Sequence, residues 1–452
     1  MSDSVKHIVL PYAADGRRWF DALCREPWSA WLDSGRPGPA AGRYDLFVAR
    51  PHATLVSRGG ESIIDDRGGT YRLRGDPLRH LRALLGERRP ACPEAPFSGG
   101  AVGYFGYDLG RRRLGVAGAD PALPVMAVGI YDWAVVTDHR TESTVLVGEG
   151  ADRGLAAELE RRWDEAAAGA SGADAFRLTA GLEREPEGAA YAEAFRRVQE
   201  YIRAGDCYQV NLARRFSAPF EGDPAAGYLG LRGRGPAPFS AWLRLPFADV
   251  LSLSPERFLQ LDGNRRVVTE PIKGTRPRGG DPVEDAAAER ALCSSAKDRA
   301  ENVMIVDLLR NDLGKSCETG SISVPSLFRP HRFANVHHLV STVTGTLRPD
   351  RDALDLLGDC LPGGSVTGAP KRRAVEIIQE LEPGPRGVYC GSIGYLGFDG
   401  RMDTNIAIRT AVCAGGRITY WAGGGIVADS DPAEELQETV DKAAAFLGLE
   451  EP

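Results

Sequence analysis

The chain has little cysteine and no apolar run long enough to cross a membrane. Only eight of its 452 residues are cysteine. They are widely scattered with no Cys-x-x-Cys spacing, so the pattern indicates neither a zinc site nor a redox site. The apolar runs fall well short of the ~18 residues that a membrane span needs, and the N-terminus has no signal pattern. We therefore expect reduced core cysteines in a cytoplasmic protein with no membrane partner.

A strong excess of one charge is also missing. The 55 Lys and Arg residues are outnumbered by 62 Asp and Glu residues, which gives a net charge of -7. No basic block or basic patch with interleaved aromatic residues occurs, so a nucleic-acid partner is not expected. A hydrophobic fraction of 43% and a charged fraction of 26% are typical of a globular protein. These values exclude a disordered or collagen-like chain.

The pattern along the chain divides it into three regions. Residues 1–150 are strand-rich, residues 151–187 read as one amphipathic helix and a loose connection, and strands alternate with helices over 188–448. The periodicity predicts a helix that begins near Gly188 and stops before Gly205. The connection over 151–187 is the predicted boundary between an N-terminal region and a C-terminal region.

One lysine stands out in the C-terminal region. Lys273 lies between an apolar residue and Gly274, in the segment 271–279 that follows a β-branched run. Glycine leaves the backbone free to turn and to approach a ligand closely, so we expect the ammonium at a strand end. Taken alone, the segment fits a solvated lysine in a surface turn better, because most lysines are exposed.

The segments around this lysine resemble the chorismate-utilising enzymes, a family that includes component I of anthranilate synthase and component I of aminodeoxychorismate synthase. The matching segments are 254–258, 271–279, 297–302, 306–312, 336–341, 362–371, 391–395, 403–410 and 423–431. The resemblance implies an α/β (α+β) fold in which two sheets form a sandwich surrounded by helices. It also implies that the 1–150 region packs onto a chorismate-binding region over 188–448.

The residue at position 273 separates two activities within this family. Anthranilate synthases carry alanine there, whereas aminodeoxychorismate synthases carry lysine. The resemblance implies that Lys273 attacks C2 of chorismate while the C4 hydroxyl leaves, and that ammonia then attacks C4 to give 4-amino-4-deoxychorismate for p-aminobenzoate and folate synthesis. A free lysine has a pKa near ~10.4, so a nucleophilic one needs desolvation or a nearby cation.

Two further groups complete the predicted chemistry. Glu256 fits the general acid and base that protonates the leaving hydroxyl and later deprotonates ammonia, although a salt bridge with Arg257 explains it equally well. His338 matches a family histidine near the ring hydroxyl and is assigned an orienting role. The adjacent His337 cannot pair with it on a metal, because neighbours on a strand point to opposite faces.

The resemblance implies a Mg²⁺ site formed by Glu301 and Glu438. Magnesium keeps several waters and bridges to anionic substrate oxygens, so two carboxylates are sufficient. We expect Glu301 in a helix that is apolar nearly all round and therefore buried. The alternatives are a buried salt bridge for Glu301 with Arg299 or Arg310, and a helical ion pair for Glu438 on a solvated face.

The remaining predicted ligands surround the substrate and its carboxylates. Arginine binds a carboxylate through two hydrogen bonds, and glycine runs allow close backbone approach. Residues 363–371 lack the Gly-Lys-Ser/Thr end of a nucleotide loop, which argues against a kinase. The predicted substrate-binding residues are Gly274, Thr275, Tyr389, Arg409, Gly423, Gly424, Gly425, Lys442, Gln209 and Asn211.

Gln209 and Asn211 indicate which nucleophile is used and which type of enzyme the chain resembles. Related isochorismate and salicylate synthases carry a lysine where this chain has Gln209, so water addition is disfavoured. Asn211 resembles the aminodeoxychorismate type. The chain departs from the family pattern at Glu270, where arginine is usual, and at Gly235, where asparagine is usual. Glu270 reverses a charge near Lys273.

Two partners follow from the resemblance. No glutaminase signature is present, so a separate glutamine amidotransferase subunit is expected to supply ammonia. Segments containing Ser34, Pro238 and Phe239 resemble those that form a tryptophan pocket in relatives, and whether tryptophan binds here is left open. The alternative functions are component I of anthranilate synthase and a non-catalytic protein that binds chorismate or tryptophan.

Overall fold

The computed structural model describes residues 6–38, 41–168, 174–333 and 336–450. Within these ranges the helices are α1 (Arg17–Leu23), α2 (Pro77–Leu85), α3 (Tyr107–Arg113), α4 (Arg153–Ala167), α5 (Gly188–Arg203), α6 (Pro224–Arg234), α7 (Pro282–Ser294), α8 (Ala296–Gly314), α9 (Ala353–Cys360), α10 (Lys371–Leu381) and α11 (Pro432–Leu447). Short 3₁₀ turns cover Gly364–Val366 and Gly448–Glu450.

Two antiparallel sheets contain the strands. The first twelve strands of the chain are β1 (Lys6–Leu10), β2 (Ala30–Asp33), β3 (Tyr44–Val48), β4 (Ala53–Arg58), β5 (Glu61–Asp66), β6 (Gly69–Arg74), β7 (Gly100–Phe105), β8 (Met126–Tyr131), β9 (Ala134–Asp138), β10 (Ser143–Gly148), β11 (Arg177–Leu178) and β12 (Glu183–Glu185). The later strands are β13 (Gln209–Glu221), β14 (Phe239–Leu245), β15 (Ala248–Ser254), β16 (Arg257–Leu261), β17 (Arg266–Glu270), β18 (Ile272–Pro277), β19 (Ser323–Arg332), β20 (Val336–Thr346), β21 (Gly368–Ala369), β22 (Ser392–Gly397), β23 (Met402–Asn405), β24 (Thr410–Ala414) and β25 (Arg417–Ile426).

Both sheets contain strands from each of the two main predicted regions. The 13-stranded sheet runs β1-β10-β9-β3-β2-β14-β15-β24-β25-β13-β11, with β12 and β21 also paired to β13. The 12-stranded sheet runs β18-β20-β17-β16-β23-β22-β7-β8-β4-β5-β6, with β19 also paired to β20. In each sheet the N-terminal strands form one end and the C-terminal strands the other, and the two ends join where β2 pairs with β14 and where β7 pairs with β22. The division at residues 151–187 stays a prediction, because both sheets continue across it.

Apolar side chains join the sheets to each other and to the helices. One buried cluster holds Val48 and Ala241 from the 13-stranded sheet together with Val102 and Ile393 from the 12-stranded sheet. Two further buried clusters combine side chains of helices and strands. One includes Trp19 of α1, and the other includes Tyr191 of α5. Burial of such side chains is the main favourable contribution to folding, and this arrangement agrees with the predicted α/β sandwich surrounded by helices.

The local structure confirms one prediction and corrects another. Helix α5 begins at Gly188 and ends at Arg203, and Gly205 follows with a φ of 82°, as the periodicity predicts. Lys273 is the second residue of β18, so it lies near a strand end as expected but not in a turn. Gly274 has a φ of 81°, and the pairing of β18 with β20 shifts register there. A β-bulge, which re-aims the side chains around it, therefore positions the lysine.

Helix α8 also differs from the prediction. Val303 is 50% exposed and Asp307 is exposed, whereas Ile305 and Leu309 are buried. The helix therefore buries one face and leaves the other in solvent, because only one side packs against β18, β20 and α9. Its Glu301 is partly buried rather than enclosed on all sides.

The cysteines are all unpaired, and seven of the eight are buried while Cys293 is partly exposed. Among the residues that the structure describes, no helix has the length and apolarity needed to span a membrane.

Candidate active site

The predicted catalytic lysine lies where one edge of the 12-stranded sheet meets strands β13 and β25 of the other sheet. A Cβ atom added to Gly425 would lie 3.3 Å from Lys273 Nζ and 2.4 Å from Gln209 Nε2. Gly425 is opposite Asn211 in the register of these strands. Glycine at position 425 therefore makes room for the lysine and the amide to approach the same backbone.

Three carboxylates interact electrostatically with Lys273. The ammonium lowers the pKa values of Glu256, Glu301 and Glu438, in each case against the raising effect of burial. Opposite charges act on each other strongly only over short distances in a protein. The lysine is thus close enough to act electrostatically on all three predicted acidic groups, although they come from a loop, α8 and α11.

Glu256 lies between β15 and β16 and is only 4% exposed. Burial raises its pKa to about 7, while a hydrogen bond from Ser365 and the charge of Lys273 oppose that rise. Ser365 Oγ donates to Glu256 Oε1 at 2.6 Å. A carboxyl with a pKa near neutrality can give and take a proton at physiological pH.

The alternative explanation for Glu256 is wrong. Arg257 Nη1 donates to Glu270 Oε2 at 2.6 Å, and Arg257 Nε donates to Asp403 Oδ1 at 3.1 Å. No ion pair joins Arg257 to Glu256 among the described residues. Glu256 therefore faces the lysine without a permanent arginine partner.

His338 is buried and neutral. Its Nδ1 lies 2.9 Å from Thr275 Oγ1 and 3.4 Å from the Gly274 carbonyl oxygen, whereas its Nε2 is buried without a hydrogen-bond partner. Burial, reinforced by the charge of Arg409, lowers the pKa of His338 to about 3. The imidazole is therefore suited to orient a polar group and unsuited to act as a cationic acid.

Arg409 carries a guanidinium with no counter-ion in the described part of the chain. Burial lowers the pKa of Arg409, and no hydrogen bond or ion pair of its guanidinium occurs among those residues. Its backbone adopts a φ of 51°, which is uncommon for a residue with a side chain. A half-buried cation of this kind is poorly solvated unless an anion pairs with it, so the site suits an anionic ligand.

The residues predicted to bind Mg²⁺ differ in their present contacts. The carboxylate of Glu301 has no hydrogen bond or ion pair among the described residues, and burial raises its pKa. Glu438 Oε1 forms an ion pair with Lys442 Nζ at 2.7 Å, and the same Nζ donates to the Gly423 carbonyl oxygen at 2.8 Å. The predicted helical ion pair of Glu438 is thus present, whereas neither predicted salt bridge of Glu301 forms.

These two carboxylates fit a magnesium ion. No group of three or more metal-ligating side chains occurs in the described ranges, and magnesium needs only one or two protein carboxylates because it keeps waters and takes substrate oxygens. Arg310 pairs with Asp307, and Arg299 lies over the ring of Phe328. Glu301 therefore forms a salt bridge with neither arginine, and only the more distant charges of Lys273 and Lys297 act on it.

The glycine run and the polar residues of β13 form the wall opposite the lysine. A Cβ atom on Gly424 would lie 3.0 Å from Glu438 Oε2. The side chain of Gln209 and Nδ2 of Asn211 are buried without hydrogen-bond partners. Polar groups buried in this way are usually satisfied by a ligand or water. Tyr389 is buried and stacks on Trp421 with a ring separation of 6.0 Å.

Two polar residues of the site were missed from the sequence. Ser365 binds Glu256 as described, and its family segment was noted only as a loop. Glu435 is 4% exposed, accepts a hydrogen bond from Ser430 Oγ at 2.7 Å, and lies beside Glu438. Its position three residues before Glu438 on the same helix was an available signal.

The loop over 362–371 is held by a lysine rather than built around a phosphate. Lys371 Nζ donates to the carbonyl oxygens of Cys360 at 3.0 Å and Pro362 at 2.7 Å, and pairs with Asp312 at 2.5 Å. These three contacts use all the protons of the ammonium. Lys371 therefore fixes the loop that carries Ser365.

The predicted tryptophan-pocket residues lie away from the lysine. Pro238 and Phe239 line a cavity of about 320 Å³ that Tyr395 and Arg257 also line. Ser34 does not line this cavity, although it is buried and its Oγ has no hydrogen-bond partner. The structure thus brings two of the three residues to one cavity, and the ligand of that cavity stays a prediction.

Comparisons with known proteins identify the family of the chain. Residues 30–448 match the family model described as chorismate binding enzyme. The chain is 47% identical over 435 residues to aminodeoxychorismate synthase component 1 of Escherichia coli strain K12, covering 95% of this chain and 94% of the relative. It is 40% identical to anthranilate synthase component 1 of Thermus thermophilus, covering 97% of each. The crystal structure of anthranilate synthase component I from Streptococcus pneumoniae superposes with a TM-score of 0.78 at 31% identity, covering 90% of this chain and 92% of that one.

Proposed function

Since this chain belongs to the chorismate binding enzyme family, we propose that it acts as component 1 of an aminodeoxychorismate synthase. It converts chorismate and ammonia to 4-amino-4-deoxychorismate, a precursor for p-aminobenzoate and folate synthesis. The identity of 47% with a relative of that name over nearly the whole of both chains supports this activity. Lys273, placed among three carboxylates, is the observation that carries it.

Lys273 is the nucleophile of the first step. Its amine lone pair forms a bond to C2 of chorismate, the two ring double bonds shift, and the C4 hydroxyl leaves as water with a proton from Glu256. Ammonia then bonds to C4, the double bonds shift back, and the C2–N bond breaks to release the lysine. The covalent step divides one difficult substitution into two easier ones.

Glu256 serves both half-reactions because its pKa is about 7. In the first step its protonated form supplies the leaving hydroxyl, and in the second step its ionised form accepts a proton from ammonia. The hydrogen bonds from Ser365 Oγ and from the backbone of Ile272 fix the orientation of the carboxylate.

The anionic groups of chorismate bind to the remaining polar wall. Arg409 and the backbone of Gly423–Gly425 bind one carboxylate, and His338 with Thr275 orients the ring hydroxyl. Glu301 and Glu438 would hold Mg²⁺, which would neutralise carboxylates of the substrate and the protein. Lys442, whose Nζ lies at the Gly423 carbonyl oxygen, is a further donor to the substrate.

The ammonia comes from a separate glutamine amidotransferase subunit. The designation of the relatives as component 1 supports a second component. The cavity beside Phe239 is proposed to bind tryptophan, since it combines aromatic walls with ionised groups. A Tyr or Trp ring enclosed by aromatic walls gains both burial and ring contacts.

The test is to incubate the purified chain with chorismate, Mg²⁺ and ammonium salt, and to resolve the products by mass and chromatography. The wild-type chain is expected to form 4-amino-4-deoxychorismate, and Lys273→Ala is expected to lose it. Lys6→Ala, which changes an exposed lysine of β1, is the matched control. Formation of anthranilate by the wild-type chain would refute the role of Lys273.

A further inference from the structure

A second cavity, of about 180 Å³, lies far from the catalytic lysine. It is bounded by the end of α2, the turn between β16 and β17, the start of α9, and the turn between β22 and β23. Strand β16 starts just after Glu256 and ends at the cavity residue Leu261, and β20 starts near His338 and ends beside the cavity residue Leu347. The cavity and the active site are thus at opposite ends of the same strands.

The charges around this cavity are predominantly positive. Four arginines and two aspartates line it, and they are Arg82, Arg88, Arg265, Arg351, Asp262 and Asp352. Only one of these arginines is neutralised by hydrogen-bonded carboxylates. Arg82 donates to Asp352 at 2.6 Å and 2.9 Å and to Asp355 at 2.7 Å.

The other three guanidinium groups have no hydrogen-bonded carboxylate among the described residues. Arg88 makes no hydrogen bond or ion pair there, and it lies over the turn at Gly400. Arg351 Nε is buried without a hydrogen bond, and its nearest carboxylate oxygen, on Asp350, is 3.9 Å away. Arg265 donates only to uncharged carbonyl groups, including that of Leu347 at 3.1 Å.

The remaining acid of the cavity, Asp262, is engaged by the backbone. Asp262 Oδ1 accepts hydrogen bonds from two backbone amides, Asn264 N and Arg266 N, both at 2.9 Å. It therefore holds the β16–β17 turn, and among the described residues it forms no ion pair with the cavity arginines. Arg88 is exposed and the Arg351 side chain is 36% exposed, so both guanidinium groups are within reach of a ligand at the mouth of the cavity.

The floor of the cavity is apolar. It consists of five side chains: Leu261, Leu347, Leu354, Leu396 and Phe398. Apolar surface that a ligand covers contributes favourably to binding. A volume of about 180 Å³ is below the ~300–1,000 Å³ of pockets that enclose drug-sized ligands, so the cavity accepts about one ring and its substituent.

We propose that this cavity is a binding site for a small organic anion that joins one carboxylate to a single apolar ring. The carboxylate lies between the guanidinium groups of Arg88 and Arg351, and the ring covers the leucines and Phe398. Arginine suits this role because its planar N–H groups pair with both carboxylate oxygens. The site is separate from the chorismate and tryptophan sites described above.

Benzoate is the probe, with the full chain titrated by isothermal titration calorimetry. The wild-type chain is expected to show saturable binding. Arg88→Ala and Arg351→Ala are each expected to weaken it about tenfold or more, the loss that removal of a charge-assisted hydrogen bond produces. Arg79→Ala, on the exposed side of α2, and Arg409→Ala, in the active site, are expected to bind benzoate as the wild type does.

Two further ligands separate the parts of the proposal. Benzamide, which keeps the ring and removes the charge, and inorganic phosphate, which keeps charge and removes the ring, are each expected to bind at least tenfold more weakly than benzoate. The proposal would be overturned if the wild-type chain did not bind benzoate, or if Arg88→Ala and Arg351→Ala bound benzoate as tightly as the wild type does. Loss of binding in Arg409→Ala would place benzoate in the active site, and phosphate binding as tight as benzoate would refute the apolar part. Thermal unfolding of each unliganded variant verifies that it is folded.

Discussion

Replacing Glu256 by glutamine tests whether this carboxyl is as buried and as unpaired as the site requires. The pKa of Glu256 rises from 4.5 to about 7 on folding, so the folded state holds the proton more tightly than the unfolded state does. Below pH 4.5 the carboxyl is protonated in both states and does not reduce the free energy of unfolding. That free energy then falls as the pH rises from 4.5 through 7, because the unfolded state ionises first. Glutamine is neutral at every pH and avoids this loss.

The magnitude follows from the size of the shift. Each pKa unit corresponds to about 1.36 kcal/mol, so the full shift amounts to about 3 kcal/mol, of which about 2 kcal/mol accumulates between pH 5.5 and pH 8. Glu256→Gln is thus expected to gain about 2 kcal/mol of unfolding free energy relative to wild type over that interval. The measurement is urea unfolding followed by tryptophan fluorescence at both pH values.

A matched variant and a second readout make the result specific. Glu160→Gln replaces an exposed glutamate of α4 and is expected to follow the wild type at both pH values. Ammonia-dependent turnover by Glu256→Gln is expected to fall at all pH values, because the amide cannot exchange a proton. A stability difference that does not change with pH would refute the reasoning about burial, even if activity were lost.

Three further predictions concern the metal, the glycine wall and the second cavity. Glu301→Gln is expected to weaken Mg²⁺ binding ~10-fold or more in calorimetry without substrate. Glu434→Gln, at an exposed position of α11, is expected to bind Mg²⁺ as the wild type does. Equal Mg²⁺ affinities of Glu301→Gln and the wild type would show that Glu301 is not a metal ligand. Gly425→Ala is expected to lower kcat/KM, because the new Cβ would lie 2.4 Å from Gln209 Nε2. Gly230→Ala in α6, where a new Cβ has nothing within 4 Å, is expected to keep the wild-type kcat/KM. An unchanged kcat/KM of Gly425→Ala would contradict the packing. Added tryptophan is expected to raise the Tm of the wild type, because a ligand that binds only the folded state stabilises it. The rise is expected to be several-fold smaller for Phe239→Ala. No rise in the Tm of the wild type would exclude tryptophan as the ligand of this cavity.

The sequence predicted the fold class and the identity of the lysine better than it predicted local geometry. Helix α5 was found because its apolar residues repeat with the helical period and a glycine ends it. The position of Lys273 within β18 was not found, because the bulge at Gly274 depends on pairing with β20, which is more than 60 residues away in the chain. Register between distant strands leaves no local signal in one sequence.

The site followed the same rule. The carboxylates of Glu256, Glu301 and Glu438 were identified from motifs, but their common proximity to Lys273 depends on how both sheets and two helices meet. Helix α8 was expected to be buried on all sides because its apolar residues cover much of the helix surface. Val303 nevertheless faces solvent, which shows that composition alone does not tell which faces of a helix find a partner.

Glu270 illustrates how structure changes the meaning of a charge. The glutamate replaces an arginine that is usual in the family and was expected to act on Lys273. Its carboxylate instead binds Arg257, which also binds Asp403. Glu256 and Arg257 are adjacent, and neighbours along an extended strand point to opposite faces. Glu270 therefore acts on the face that carries Arg257 and Asp403, whereas Glu256 lies on the face of Ser365. Burial raises the pKa of Glu256 to about 7, so the altered charge at position 270 leaves the proposed acid and base in place.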